Sequence, residues 1–187
     1  MSLRTARSRP TALVAGALAC LFTIVLSVAA SAQTTGVPRL GVGLSILKAD
    51  GTATGLAGGV LFPVKDVGAG SVGVVGAAGF HHFAEGDISA NVVSYVGGVR
   101  LTHTWAPKLK TFVQGVFGVI QRRENEDGDL IVRTDLGFGP GGGVLVPLND
   151  KVNFMIEADL GAVNDAIGSI NKGLVLTFGV SVPLATR

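Results

Sequence analysis

The chain has 187 residues, 48% hydrophobic and only 15% charged, with a mean hydropathy of +0.53; ordinary soluble domains carry about 25% charged residues. Beyond residue 33 no run reaches the ~18 apolar residues of a spanning helix, so helical membrane proteins are excluded, while a transmembrane barrel spreads its apolar residues two apart along many strands. The formal charge of +2 comes from 15 Lys+Arg against 13 Asp+Glu, but three of the basic residues lie in the first 32, leaving about −1 beyond them and no electrostatic case for nucleic-acid binding.

Residues 1–32 read as a cleaved signal peptide. Arg4, Arg7 and Arg9 form the positive region, Thr11–Val28 the apolar region, and Ala30-Ser31-Ala32 the small-residue cleavage site, with Gln33 the first mature residue. Cys20, the one cysteine, lies inside the apolar region, so the expected mature domain, 33–187, has no disulfide to staple it.

Eight alternating runs follow. The first, Arg39–Leu47, sets Leu40, Val42, Leu44 and Ile46 on one face and Gly41, Gly43 and Ser45 on the other. Lys48–Thr52 makes a turn. The second run, Thr54–Val64, aligns Leu56, Val60 and Phe62, and Pro63–Gly68 close a turn. The third, Ser71–Phe80, aligns Val72, Val74, Ala78 and Phe80, and His81–Asn91 reads as a loop. The fourth, Val92–Trp105, sets Val93, Tyr95, Val99, Leu101, His103 and Trp105 against Ser94, Gly98, Arg100, Thr102 and Thr104.

Ala106-Pro107-Lys108 turns the chain into the fifth run, Thr111–Gln121. Its faces do not separate, because Phe112 and Phe117 fall on opposite parities, and a bulge would reconcile them. Arg122–Asp129 reads as a charged loop with an Asp127-Gly128 tip. The sixth run, Leu130–Val146, is glycine-rich over Gly137–Gly143, and its Pro140 suits a bulge or a strand end. The last two runs, Lys151–Val163 and Lys172–Leu184, alternate most cleanly.

The connections alternate between longer and shorter, as in barrels with long extracellular loops and short periplasmic turns. Tyr95 and Trp105 share a face ten residues apart, roughly 33 Å along a strand and about 25 Å in height once tilted, which is the spacing of two aromatic girdles. Phe62, Phe80 and Phe154 lie on the same apolar faces and join the expected girdle. The expected fold is all-β: an eight-stranded antiparallel up-and-down transmembrane β-barrel after a cleaved signal peptide.

The run Gly141-Gly-Gly-Val-Leu-Val-Pro-Leu-Asn-Asp-Lys-Val152, leading into Asn153-Phe-Met-Ile-Glu-Ala-Asp159, resembles the sixth-to-seventh-strand hairpin of the small outer-membrane β-barrel family, the OmpA/OmpX and opacity-protein type. The resemblance covers roughly Leu40–Leu184. It implies an address in the cell outer membrane, with membrane lipid and the barrel-assembly machinery as partners and a monomeric state. The chain ends Pro183-Leu-Ala-Thr-Arg187, where many members of that family carry a terminal aromatic residue.

Arg100, Glu157, Asp159 and Thr177 fall on the smaller, more polar face, with Arg133 and Asp135 nearer a rim. Buried charges must be paired, so the expected arrangement is a satisfied network filling the interior rather than an open polar path. His81 and His82 lie near Glu85, Asp87 and Ser89, but adjacent residues of an extended chain point apart, and no spacing there matches a metal or catalytic motif. Glu124–Asp129 lacks the length and closing Glu of a calcium loop, and the glycine runs lack the Lys and Ser/Thr of a phosphate loop. No cofactor is expected. The functional expectation is a non-catalytic barrel with a structural or surface-interaction role. The alternatives are a narrow porin-like channel, a lipid-modifying enzyme, and a soluble ligand-holding periplasmic barrel.

Overall fold

The structure is a computed structural model that describes residues 36–49, 51–85, 88–126, 129–164 and 170–184. The expected signal peptide, with Ala30, Ala32 and Gln33, lies outside the described residues, as does Asp87. Eight strands follow one another: β1 Arg39–Lys48, β2 Thr52–Val67, β3 Gly70–Glu85, β4 Ile88–Ala106, β5 Leu109–Glu126, β6 Asp129–Pro147, β7 Asn153–Asn164 and β8 Ile170–Pro183. Each pairs antiparallel with the next, and β1 closes on β8, so the sheet is a barrel without free edges. We call the end carrying Arg39 and Pro183 the lower end, and the end carrying Lys48 and Thr52 the upper end.

The barrel is apolar on its outside. Leu44 (68% exposed), Leu56, Val99, Leu101, Val113, Phe117, Leu160 and Phe178 all face out, whereas Phe112, Leu145 and Met155 form the small buried cluster inside. Continuous apolar exposure of this extent exceeds what a soluble monomer carries. It follows from strand geometry: successive side chains alternate across the wall, and eight strands leave an interior only wide enough for side chains to fill.

The strand faces agree with the alternation, but several boundaries do not. β3 continues through His81 to Glu85 and β4 begins at Ile88, so the span 81–91 is mostly paired strand rather than loop. Likewise β5 runs to Glu126, through most of the expected charged loop. The connections therefore do not alternate in length: Gly68-Ala69 and Pro107-Lys108 join strands at the lower end, and 86–87 and 127–128 do so at the upper end. Backbone pairing outlasts the apolar pattern because the ladder needs only N–H and C=O groups, whatever the side chains.

β5 keeps an unbroken register on both sides around Phe112 and Phe117, so it has no bulge there; Phe112 points in and Phe117 points out. The register shifts lie instead between Pro63 and Lys65 and between Thr104 and Ala106, and β2 continues past Pro63 to Val67. Pro140 sits inside β6 rather than at a bulge or end. It pairs with Gly115 of β5, while the β6–β7 pairing omits Gly139 and Pro140, as suits a residue with no N–H to donate. Two turns use local chemistry. Gly68 takes the left-handed φ of 57°, and the Asn149 side chain accepts bonds from the Lys151 and Val152 N–H groups at 2.9 and 2.8 Å.

Candidate functional site

The polar residues of the interior lie on two neighbouring rows of cross-strand partners. On the first row Arg100 pairs with Gln114, Gln114 with Gly141 and Gly141 with Asp159. On the second, Gly143 pairs with Glu157, Glu157 with Thr177 and Thr177 with Ser45. The register of a closed sheet thus gathers side chains of β4, β5 and β7 at one level of the lumen.

Their bonding is dense. Arg100 donates through Nε to Gln114 Oε1 and through Nη2 to Glu157 Oε2, both at 2.8 Å. Gln114 Nε2 donates to Glu157 Oε1 at 2.8 Å and to Asp159 Oδ1 at 2.7 Å. The Arg100 guanidinium also lies 3.9 Å over the Phe112 ring centroid, a cation–π contact strengthened where water is excluded. Side chains of the ion pair are only 8% and 13% exposed. The cluster sets one guanidinium among two carboxylates.

β6 crosses beneath this cluster without side chains. A Cβ at Gly141 would run into the Asp159 carboxylate, and one at Gly143 would lie 2.6 Å from the Phe112 ring. The glycine-rich stretch of β6 is therefore the floor on which Gln114, Asp159 and Phe112 rest.

A second cluster continues the polar line. Thr177 Oγ1 lies 3.2 Å from Ser45 Oγ, and Ser45 Oγ lies 2.9 Å from His81 Nε2. All three residues are buried, and His81 Nδ1 has no partner among the described residues. His81 is thus an interior strand residue, not a loop residue. His82 points to the opposite face, where Nδ1 lies 2.9 Å from Asn91 Oδ1, so the two histidines do not converge. Among the described residues no three His, Cys, Asp or Glu side chains are placed to hold a metal ion. A serine–histidine pair buried in the wall, with nothing described to orient the other ring nitrogen, lacks the third member of a nucleophile–base–orienter set.

Arg133 and Asp135 have the inward parity of β6 but lie toward the upper rim, away from the Arg100 cluster. There Arg133 pairs across strands with Arg122, whose Nη1 lies 3.3 Å from Glu124 Oε1. At the lower end Arg39 donates to Ser181 Oγ (3.2 Å), Ser181 O (3.0 Å) and Lys151 O (3.3 Å). On the outside, Tyr95, Phe80, Phe154 and Trp105 are exposed and Phe62 is half-buried. Trp105 Nε1 donates to Thr111 Oγ1 at 2.8 Å, and its ring meets His103 edge-on at 4.6 Å.

Gln114 and Ser45 complete the interior clusters without having been singled out as site residues, and His81 joins them from a stretch that reads as a loop. Gln114 is hidden because both faces of β5 mix apolar and polar residues. His81 is hidden because His-His followed by acids has the composition of a loop.

No protein-family profile matches the chain, and no curated protein sequence is similar to it. Solved structures do match. Neisserial surface protein A superposes with a TM-score of 0.60 at 10% identity, over 79% of this chain and 96% of that one. The attachment invasion locus protein Ail of Yersinia pestis gives 0.56 at 14% identity, over 78% and 95%. These likenesses carry the fold: the chain has the eight-stranded transmembrane barrel architecture of small outer-membrane proteins.

Proposed function

We propose that the chain serves as a monomeric, non-catalytic outer-membrane barrel with a structural or surface-interaction role. The observation that carries this reading is the Arg100–Gln114–Glu157–Asp159 cluster, which cross-links β4, β5 and β7 through the middle of the lumen. Eight strands leave an interior that side chains fill. Here the filling is a bonded brace, which favours a rigid, closed scaffold over a conducting path. Among the described residues the buried Ser45–His81 pair has no third member, which favours the same reading. So do the names of the two matched barrels, one a surface protein and the other an attachment protein.

With both termini in the periplasm, the upper hairpins face outward. Above Tyr95 they change from apolar to polar on the outer wall, with His82 beside Asn91 and Arg123 donating to Gln121 Oε1. That polar collar is the surface available for recognition, carried on a rigid frame. Outer-membrane lipid and the barrel-assembly machinery are the partners this reading requires.

Two measurements on one preparation test it. The protein, expressed in a Gram-negative host, should fractionate with the outer membrane and migrate differently on a gel before and after boiling. Reconstituted in planar bilayers, it should give no steady current. Sustained, ion-selective conductance would overturn the closed-scaffold reading and select the narrow channel. Recovery as a soluble periplasmic protein insensitive to boiling would overturn the membrane reading altogether.

A further inference from the structure

The lower rim is basic while the rest of the barrel is acidic. Five cations, Arg39, Lys65, Lys108, Lys110 and Lys151, lie there against two acids, Asp66 and Asp150, in a chain whose residues beyond 32 sum to about −1. Each of the three lower hairpins exposes one lysine: Lys65 near the end of β2, Lys108 between β4 and β5, and Lys151 between β6 and β7. Among the described residues none of the three makes an ion pair. Each hairpin also exposes a large apolar side chain: Val67 on the first, Trp105 and Leu109 on the second, Leu148 on the third. Local structure sets where the lysines point. Pro63 pairs with the inward-facing Gly73, but the register then shifts, and Lys65 pairs with Val72 on the outer face. The bulge therefore turns Lys65 out of the lumen mouth and onto the outer wall. Trp105, three residues before Lys108, is tied to Thr111. The Lys151 turn is held by the Asn149 side chain and by Arg39, which donates to Lys151 O.

We propose that the lower rim is a docking collar for anionic phospholipid headgroups of the periplasmic leaflet, of the phosphatidylglycerol class; the proposal rests on the membrane reading above. A lysine and a large apolar side chain on one short turn suit a membrane interface. The apolar group enters beneath the headgroups, and the flexible lysine stem carries its charge out to the phosphates. A soluble polyanion would meet the lysines but leave Val67, Leu109 and Leu148 in water. A zwitterionic headgroup brings its own cation beside the phosphate, whereas phosphatidylglycerol presents a net negative charge for the lysine to neutralise. A single lysine at an anionic membrane surface favours association about fivefold.

The chain supplies its own reporter, because its one tryptophan, Trp105, lies exposed on this rim. The mature barrel is folded into vesicles of mixed phosphatidylcholine and phosphatidylglycerol, with bromine on the acyl chains of one lipid or of the other. Quenching of Trp105 by each lipid gives their relative occupancy beside it. The expected result is a preference of about fivefold for phosphatidylglycerol at about 10 mM salt, falling to about one at about 1 M, where screening reaches only ~3 Å. Combining Lys65→Gln, Lys108→Gln and Lys151→Gln should abolish the preference, while the unboiled gel shift shows a folded barrel. Lys48→Gln, at the upper end, should leave it intact. Equal occupancy by the two lipids, a preference that survives 1 M salt, or one that the triple variant keeps would each overturn the proposal. A barrel that shows the gel shift without a lipid preference removes the collar alone; a chain that shows no gel shift in any of the vesicles removes the membrane reading and the collar with it.

Discussion

Replacing Arg100 with Met removes the cation from the interior brace while keeping much of its volume against Phe112. Glu157 then stays behind with its ion pair gone, and Gln114 Oε1 loses its donor. Because the paired side chains are only 8% and 13% exposed, water screens little of the loss. Breaking a buried pair by deleting one partner costs about 3–5 kcal/mol. For a urea dependence of about 2 kcal/mol per molar, that lowers the unfolding midpoint by roughly 1.5–2.5 M. The assay is reversible urea unfolding of the barrel in lipid bilayers, followed by the boiled-versus-unboiled gel shift. The second half of the test is Arg100→Met with Glu157→Leu. Deleting both charges in favour of apolar side chains of similar size is often close to neutral, so the double variant should recover most of the loss, with a coupling of about 2 kcal/mol or more. A single variant that loses less than about 1 kcal/mol would refute the reasoning. The interior would then be hydrated enough to screen the pair as a surface bridge is screened.

Two further perturbations address the outer wall. Val99 faces out between Tyr95 and Trp105 and is 55% exposed, so Val99→Arg should cost about 2–4 kcal/mol at the bilayer midplane. At the surface of a soluble barrel the same change would stay within about 0.5 kcal/mol, and urea midpoints in bilayers separate the two cases. Trp105 is the chain's one tryptophan. Its emission should be quenched most by lipids brominated near the headgroup and least by lipids brominated near the chain end, as expected of a girdle residue; the reverse order would remove it from the interface.

How much of this was legible beforehand depends on where the alternation is clean. In β1, β7 and β8 every second residue is apolar, and their exposed faces in the structure are the apolar faces of the sequence. Arg100, Glu157, Asp159 and Thr177 share the inner face for the same reason. β5 gave no such signal. Phe112, Gln114, Val116 and Arg122 lie on one parity, and Val113, Phe117, Gln121 and Arg123 lie on the other, so only the neighbouring strands decide which side is inside. Composition misled at 81–91, because strands that project beyond the apolar belt carry polar residues on both faces yet keep their backbone ladder. Which of two alternating faces is the outer one is settled by volume: the narrow interior of eight strands favours small residues, and a large inward side chain such as Phe112 is seated across from a glycine, Gly143.

That rule of opposition can be tested at Gly141. The three nearest atoms its Cβ would meet belong to side chains: the Asp159 carboxylate first, then Gln114 Cγ at 3.2 Å. Gly141→Ala therefore forces Asp159 off its bond with Gln114, an overpacking cost of about 1–3 kcal/mol. Gly76→Ala is the control, since nothing lies within 4 Å of its Cβ position; restricting the unfolded chain there should stabilise by a few tenths of a kcal/mol or more. Shortening the opposing side chain should restore the fit. Gly141→Ala combined with Asp159→Ser moves volume from β7 to β6, so the double variant should be more stable than the sum of the two single changes implies, by about 1 kcal/mol or more. Urea midpoints of the four proteins measure that coupling. If the effects simply add, the carboxylate does not rest over Gly141, and the glycines of β6 would need another explanation than the room they give to the brace.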